Sequence, residues 1–470
     1  MSQTPAAVIR DTNQAYLELI ARLFADEIRD FEDSESSVST FIERWLAGSK
    51  VDEVNERRPD VTKAVTRFWD EHRLELSNAL FDLNGLKCTV GSDIFPFHVQ
   101  QKLMSVGCYA DTFVVEDYVR RLGVSDPSFS NRHASFGLVA FALEIHRLKE
   151  LLTADLPIPP LVLLDQGTLN EQGFRKMLVK MTAREMKKTV EHLFGKTFLS
   201  FADIDPFLAK LVTVEQVENA LTTTDYSITD RNEGTFCEQL EYCIKDTSQR
   251  IKGFADNAGR ALWSLLLQNV GTANDHFIRS QLMDGTPLIH GDIEWEYVLR
   301  RMDKDQKLDL SATRGLQKGS AQTSFALRHV TESQLLQLRQ EGALAGLRER
   351  LRNAVRNIEV SSASDIQNVT AEMNREITSM MIEHQNNLQR LSSEGKKFCG
   401  LELAPLLGAM GLIIAGAACD NSALEAIGGI AGISGAASIT DVGKSAHGHL
   451  KERSEAKNCA AAILCKSLTG

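Results

Sequence analysis

From Leu344 to Leu391 apolar side chains return every three or four positions, and no other feature constrains the fold of this chain as tightly. Leu344, Leu347, Leu351, Ala354 and Ile358 follow that spacing; after Ser361-Ser-Ala-Ser-Asp it resumes at Ile366, Val369, Met373, Ile377, Met380, His384, Leu388 and Leu391. An α-helix turns once in about 3.6 residues, so this pattern lines one side of each helix with apolar groups. Ser364 and Gln367 have the spacing of a capping box, which places the start of the second helix. Two such helices fold back on each other as an antiparallel coiled-coil-like hairpin over residues 331–397, with Leu347 and Leu351 on its seam and available for association.

The same periodicity dominates residues 1–155. Leu17, Ile20, Leu23, Phe24 and Ile28 form one stripe, Val61, Ala64, Val65, Phe68 and Trp69 a second, and Phe136 to Leu152 a third. The expected unit is a multi-helical N-terminal domain. At Leu156-Pro-Ile-Pro-Pro-Leu-Val-Leu-Leu-Asp the periodicity stops, and a Pro-rich break followed by four aliphatic residues predicts a strand. Helical spacing returns from 169 to about 285, and Thr286-Pro-Leu-Ile-His predicts a second strand. The fold class is therefore expected to be mainly α, with a small strand-containing middle region over 156–330.

Residues 398–470 differ from everything before them. Nine of the 31 glycines fall between 400 and 443, no Lys or Arg lies between Lys397 and Lys444, and no aromatic follows Phe398. Leu403–Cys419 and Ala423–Ile439 predict a Gly-rich apolar helical hairpin around Asp420-Asn421-Ser422, followed by an amphipathic tail from Lys451. Gly408, Gly428 and Gly432 are placed where helix backbones approach closely. Seventeen helical residues rise about 25 Å against a hydrocarbon core of about 30 Å. The expectation is a packed hairpin that, once released, associates with another copy, a protein partner or a membrane.

Composition narrows the remaining classes. With 43% hydrophobic residues the chain can bury cores and is not globally disordered. Its net charge of −11 falls almost wholly in the first 330 residues, which argues against a nucleic-acid surface there. Eight cysteines occur without a Cys-x-x-Cys pair, so neither a zinc ribbon nor a thioredoxin-type site is expected. With no basic, apolar leader in its first residues, the protein is expected in the cytoplasm with reduced thiols, conditionally at a membrane. No Walker loop, HExxH helix or nucleophile elbow occurs, and no cofactor is expected.

Two constellations could carry chemistry. Asp165 closes the run Leu161-Val-Leu-Leu, and His290 and Asp292 close Pro287-Leu-Ile, so all three are placed at carboxyl ends of strands, where α/β proteins put metals and substrates. Two acids and a histidine could hold a divalent ion or perform general acid-base work. His290-Gly-Asp292 resembles the HGD of aminoglycoside-phosphotransferase-like kinases, in which the Asp accepts the proton of the attacked hydroxyl. That family has Asn five residues after the Asp, where this chain has Tyr297. Arg67-Phe-Trp-Asp-Glu-His72 resembles the Arg-x4-His of HEPN-type helical ribonucleases, with Phe68 where a polar residue is usual. Glu185-Met-Lys187, Glu394-Gly-Lys396 and Glu455-Ala-Lys457 match the Glu-x-Lys of restriction-type nucleases, but in helical or terminal settings. Arg348, Arg352 and Arg356 form a basic stripe expected on a solvated helix face. The leading expectation is a non-enzymatic interaction or effector protein acting through its C-terminal hairpins. The alternative is a metal-dependent hydrolase or nuclease built on Asp165, His290 and Asp292, or a ribonuclease built on Arg67 and His72.

Overall fold

The computed structural model describes residues 3–34, 37–46, 50–90, 103, 106–107, 109–117, 119, 131–165, 172–222, 235–250, 257–289, 292–322, 331–358 and 365–393. Four helices open the chain, α1 (Pro5–Leu23), α2 (Ala25–Glu32), α3 (Val38–Leu46) and α4 (Lys50–Asp82). Strands β1 (Lys87–Val90) and β2 (Thr112–Glu116) follow, then α5 (Asn131–Arg147), α6 (Lys149–Leu152) and β3 (Leu161–Leu164). Helices α7 (Gln172–Phe194), α8 (Ile204–Leu208), α9 (Val214–Ala220), α10 (Phe236–Arg250) and α11 (Ala258–Leu282) lead to β4 (Thr286–Pro287). Beyond it run α12 (Asp292–Leu299), α13 (Lys304–Gln322), α14 (Glu332–Gln340), α15 (Ala343–Val355) and α16 (Asp365–Ser393). The protein is mostly helical with a small parallel sheet, as the spacing of its apolar residues requires.

The sheet has the order β3-β2-β1-β4 with every pair parallel. Its central strands, β1 and β2, come from the stretch that periodicity reads as helical, and β2 pairs with β3 across the change of pattern at 155–156. The reason is burial. Lys87–Val90 and Thr112–Glu116 are buried along their whole length, and with two and three apolar residues each they are too short for a strand period to stand out from the helical spacing around them.

The chain steps from β1 to β2 to β3 in one direction and then returns past β1 to β4. Right-handed crossovers place the helices of those two journeys on opposite faces. Helix α11 lies on β1 and β4, while α1, α4 and α6 lie against β3. The free edge of β3 is covered by one side chain. Asn13 of α1 donates from Nδ2 to Leu161 O at 2.9 Å and to Leu152 O at 3.0 Å, and its Oδ1 accepts from Leu163 N at 3.3 Å. The carboxamide thus takes the place of a neighbouring strand's peptide, which satisfies an edge that would otherwise pair with another chain.

At the amino edge of the sheet, Lys87 donates from Nζ to Leu80 O at 3.1 Å and Leu83 O at 3.0 Å, capping the carbonyl end of α4. Gly85 makes the turn from α4 into β1 with φ +105°, and a Cβ there would meet Asp111 Oδ2 at 2.7 Å. Asp111 accepts from Leu86 N at 2.7 Å and from both arms of Arg348 at 2.6 and 2.7 Å. Arg339 donates to the carbonyls of Gly107, Ala110 and Asp111. These two arginines fasten α14 and α15 to the loop before β2. Arg348 is therefore in an ion pair and not solvated, and Arg352 pairs with Asp309 of α13 at 3.1 Å.

The periodic stretch folds as three helices. Gly342, at φ +68°, divides its first half into α14 and α15, and α16 begins at Asp365, one residue after Ser364. Helix α16 packs along α13 as well as α15. Gly315 of α13 permits that approach, since a Cβ there would meet Val369 Cγ1 at 2.7 Å. Leu347 and Leu351 are 1% and 0% exposed. Their seam is filled by the chain's own helices, so they hold the core together and present no surface to another copy.

Candidate functional site

Strand β2 ends in two consecutive acids, Glu116 and Asp117, and the pleat of a strand sends them to opposite faces. Asp117 turns toward α1 and α4 and is 1% exposed. Its Oδ2 accepts from Tyr16 Oη at 2.6 Å and from Trp69 Nε1, and its Oδ1 accepts from Val119 N at 2.7 Å. Tyr16 and Trp69 are themselves packed ring to ring, with centroids 5.1 Å apart. Burial pushes the Asp117 carboxyl up to about 6, against the pull of its three donors, and the charge of nearby Asp165 adds to the rise. Burial and the Asp117 carboxylate hold the Tyr16 hydroxyl well above its ordinary range. With both oxygens engaged, Asp117 ties two helices to the end of β2.

Glu116 turns the other way, toward α11. It accepts from Arg279 Nη1 at 3.0 Å, and the same guanidinium meets Asp275, one turn earlier on α11, at 2.8 Å. Beside this group, Thr89 of β1, Asp165 at the end of β3, and His276 and Met283 from α11 and its end close a crevice of about 30 Å³. That volume is about one water's share of liquid water. Asp165, His276 and Thr89 are 1%, 4% and 5% exposed. The Thr89 hydroxyl has no hydrogen-bond partner among the described residues. Two carboxylates, Glu116 and Asp165, line the crevice beside the Arg279 guanidinium and the His276 ring.

Asp165 lies where the sequence places it, at the carboxyl end of a strand, and lines this crevice. Asp292 opens α12, which follows β4. Since β3 and β4 are the two edges of the sheet, their ends stand three strand spacings apart, about 14 Å. The topology brings Asp165 to Glu116 and Asp117 on the adjoining strand, while Asp292 opens the helix that follows the opposite edge strand. His290, Gly408, Gly428 and Gly432 lie outside the described residues. Arg67 is on the exposed side of α4 and pairs with Glu71 at 3.0 Å, while the ring of His72 packs on Phe68 with centroids 4.5 Å apart. Among the described residues no three His, Cys, Asp or Glu side chains cluster as a metal site, no disulfide forms, and no helix is long and apolar enough to cross a membrane.

Glu116, Asp117, Thr89, His276 and Arg279 escape the sequence reading, although one signal marks two of them. Thr112-Phe-Val-Val-Glu-Asp has the same form as Leu161-Val-Leu-Leu-Asp, a short apolar run closed by an acid. His276 and Arg279 share a helix face at a spacing of three, but nothing local says which strand that face covers. Compared with protein-family models, curated proteins and solved structures, the chain matches none.

Proposed function

We propose that this chain is an interaction or effector protein in which the covered sheet is a rigid platform and residues 398–470 carry association with further copies or contact with a membrane. The observation that supports this reading is the way the helices leading to that segment are fastened. Arg339 and Arg348 bind α14 and α15 to the loop before β2, and Arg350 of α15 binds Glu376 and Glu383 of α16 at 2.6 and 2.8 Å. The Gly-rich segment thus follows a helix that is coupled through ion pairs to the sheet.

The test is made on the full-length chain with Gly408→Leu and Gly432→Leu, which block close helix approach in the Gly-rich segment. Smaller assemblies in light scattering, or reduced flotation with anionic liposomes, are the expected results. Unchanged assembly size together with unchanged flotation would overturn the reading.

A further inference from the structure

We infer that the outer side of helix α7 and the turn after it form a surface that docks on a bilayer containing anionic lipid. This surface is separate from residues 398–470 and does not rest on the association proposed for them. The chain carries a net charge of −11, yet from Lys180 to Phe201 it has five Lys or Arg and two Glu. Helix α7 buries Met186, Thr189, Val190, Leu193 and Phe194. Lys180, Arg184 and Lys188 are exposed at a spacing of four, which sets them in a row on the opposite side. Both acids of the stretch are engaged: Glu185 accepts from Lys188 at 3.2 Å, and Glu191 accepts from Lys187 at 2.6 Å. Among the described residues no carboxylate pairs with Lys180 or Arg184, so the excess charge of the row faces solvent.

The turn beyond the helix selects among anionic partners. Gly195 reverses the chain at φ +58°. Glu191 then accepts from Phe198 N at 2.8 Å, which ties the turn back to the charged side of α7. The Phe198 ring packs on Phe207 of α8 and the Phe201 ring on Trp263 of α11, with centroids 5.3 and 5.2 Å apart. Between these anchors Leu199 is 100% exposed, and Phe201 is still 36% exposed. Lys196 adds a cation to the turn, its ammonium lying 4.2 Å from the centre of the Phe207 ring. An anchored aliphatic tip beside a row of cations suits an anionic bilayer, because the tip enters the acyl boundary while the cations meet the headgroups. A nucleic acid would use the cations but leave Leu199 in water, since bases stack on aromatic and guanidinium planes.

The test is flotation of the full-length chain with phosphatidylcholine vesicles, with and without phosphatidylserine, at low and high salt. The parent is compared with the double variant Lys180→Gln/Arg184→Gln and with Leu199→Ser. All three side chains are exposed, so both variants should melt with the parent. The parent should bind the phosphatidylserine vesicles more tightly than the neutral ones, and high salt should weaken that binding. The double variant should lose about 20-fold in affinity for the anionic vesicles. Leu199→Ser should lose about fivefold. The same losses are expected in the Gly432→Leu background, which separates this surface from residues 398–470. Equal binding to both kinds of vesicle, or unchanged binding in either variant, would overturn the inference. RNA bound through Lys180 and Arg184, without vesicle binding, would assign the row to nucleic acid and overturn it as well.

Discussion

At the amino edge of the sheet Asp111 accepts from Leu86 and from both arms of Arg348, and Arg339 spans three carbonyls. At the carboxyl edge Thr89 keeps a hydroxyl without a partner among the described residues, and two carboxylates, Glu116 and Asp275, share Arg279. Both edges are buried and rich in charge, but the first uses its polar groups to join parts of the chain more than 200 residues apart. The second leaves polar capacity over. Parallel strands make this division natural, because all their carboxyl ends gather at one side where loops and helix ends can enclose a ligand. Adjacent residues show it on a finer scale: Asp117 is saturated by Tyr16, Trp69 and Val119, while Glu116 opens onto the crevice.

Four substitutions sharpen the contrast. Leu351→Asp places a carboxylate in the fully buried seam that supports the amino edge, and should cost about 5 kcal/mol, enough to unfold a marginally stable domain. An unchanged urea midpoint would show that α15 does not hold the core. Arg348→Ala strands Asp111 in a pair whose side chains are only 16% and 15% exposed, for an expected loss of about 3–4 kcal/mol.

Asp117→Asn tests the saturated side of the carboxyl edge through pH. The folded protein keeps the Asp117 proton up to about pH 6, against an ordinary value of 3.8. Its contribution to stability is therefore fully present below pH 3.8 and drains away as the pH climbs through about 6, amounting to about 3 kcal/mol. The Asn variant should lack that decline in urea titrations between pH 4 and 7, and parallel curves would assign the titration elsewhere. The smallest effect belongs to Arg350→Ala, whose side chain is 37% exposed and whose partner Glu383 is 55% exposed. A loss below about 1 kcal/mol is expected. If Arg350→Ala and Arg348→Ala cost the same, the special weight given to the amino edge fails.

The candidate site was half legible in the residues. Asp165 could be placed because Leu156-Pro-Ile-Pro-Pro breaks the helical pattern and isolates the strand that carries it. Glu116 and Thr89 could not, because β1 and β2 are only four and five residues long and sit inside a stretch dominated by helical spacing. Asp292 was paired with Asp165 on the similarity of their settings. Strand order puts the strands that precede them, β3 and β4, at opposite edges of the sheet.

What the sequence by itself determined is local: mainly helical structure, the stripes of α1, α4 and α5, the start of α16, and a strand ending at Asp165. These follow from a 3.6-residue repeat, capping and proline chemistry, which act over a few positions. Only the tertiary structure decided that the seam of Leu347 and Leu351 closes within the chain, that Arg348 meets Asp111, and that Thr89, Glu116 and Asp165 share a crevice with α11. Each of these depends on which strands become neighbours and which faces helices cover, and that choice is made by burial and pairing between segments far apart in the chain.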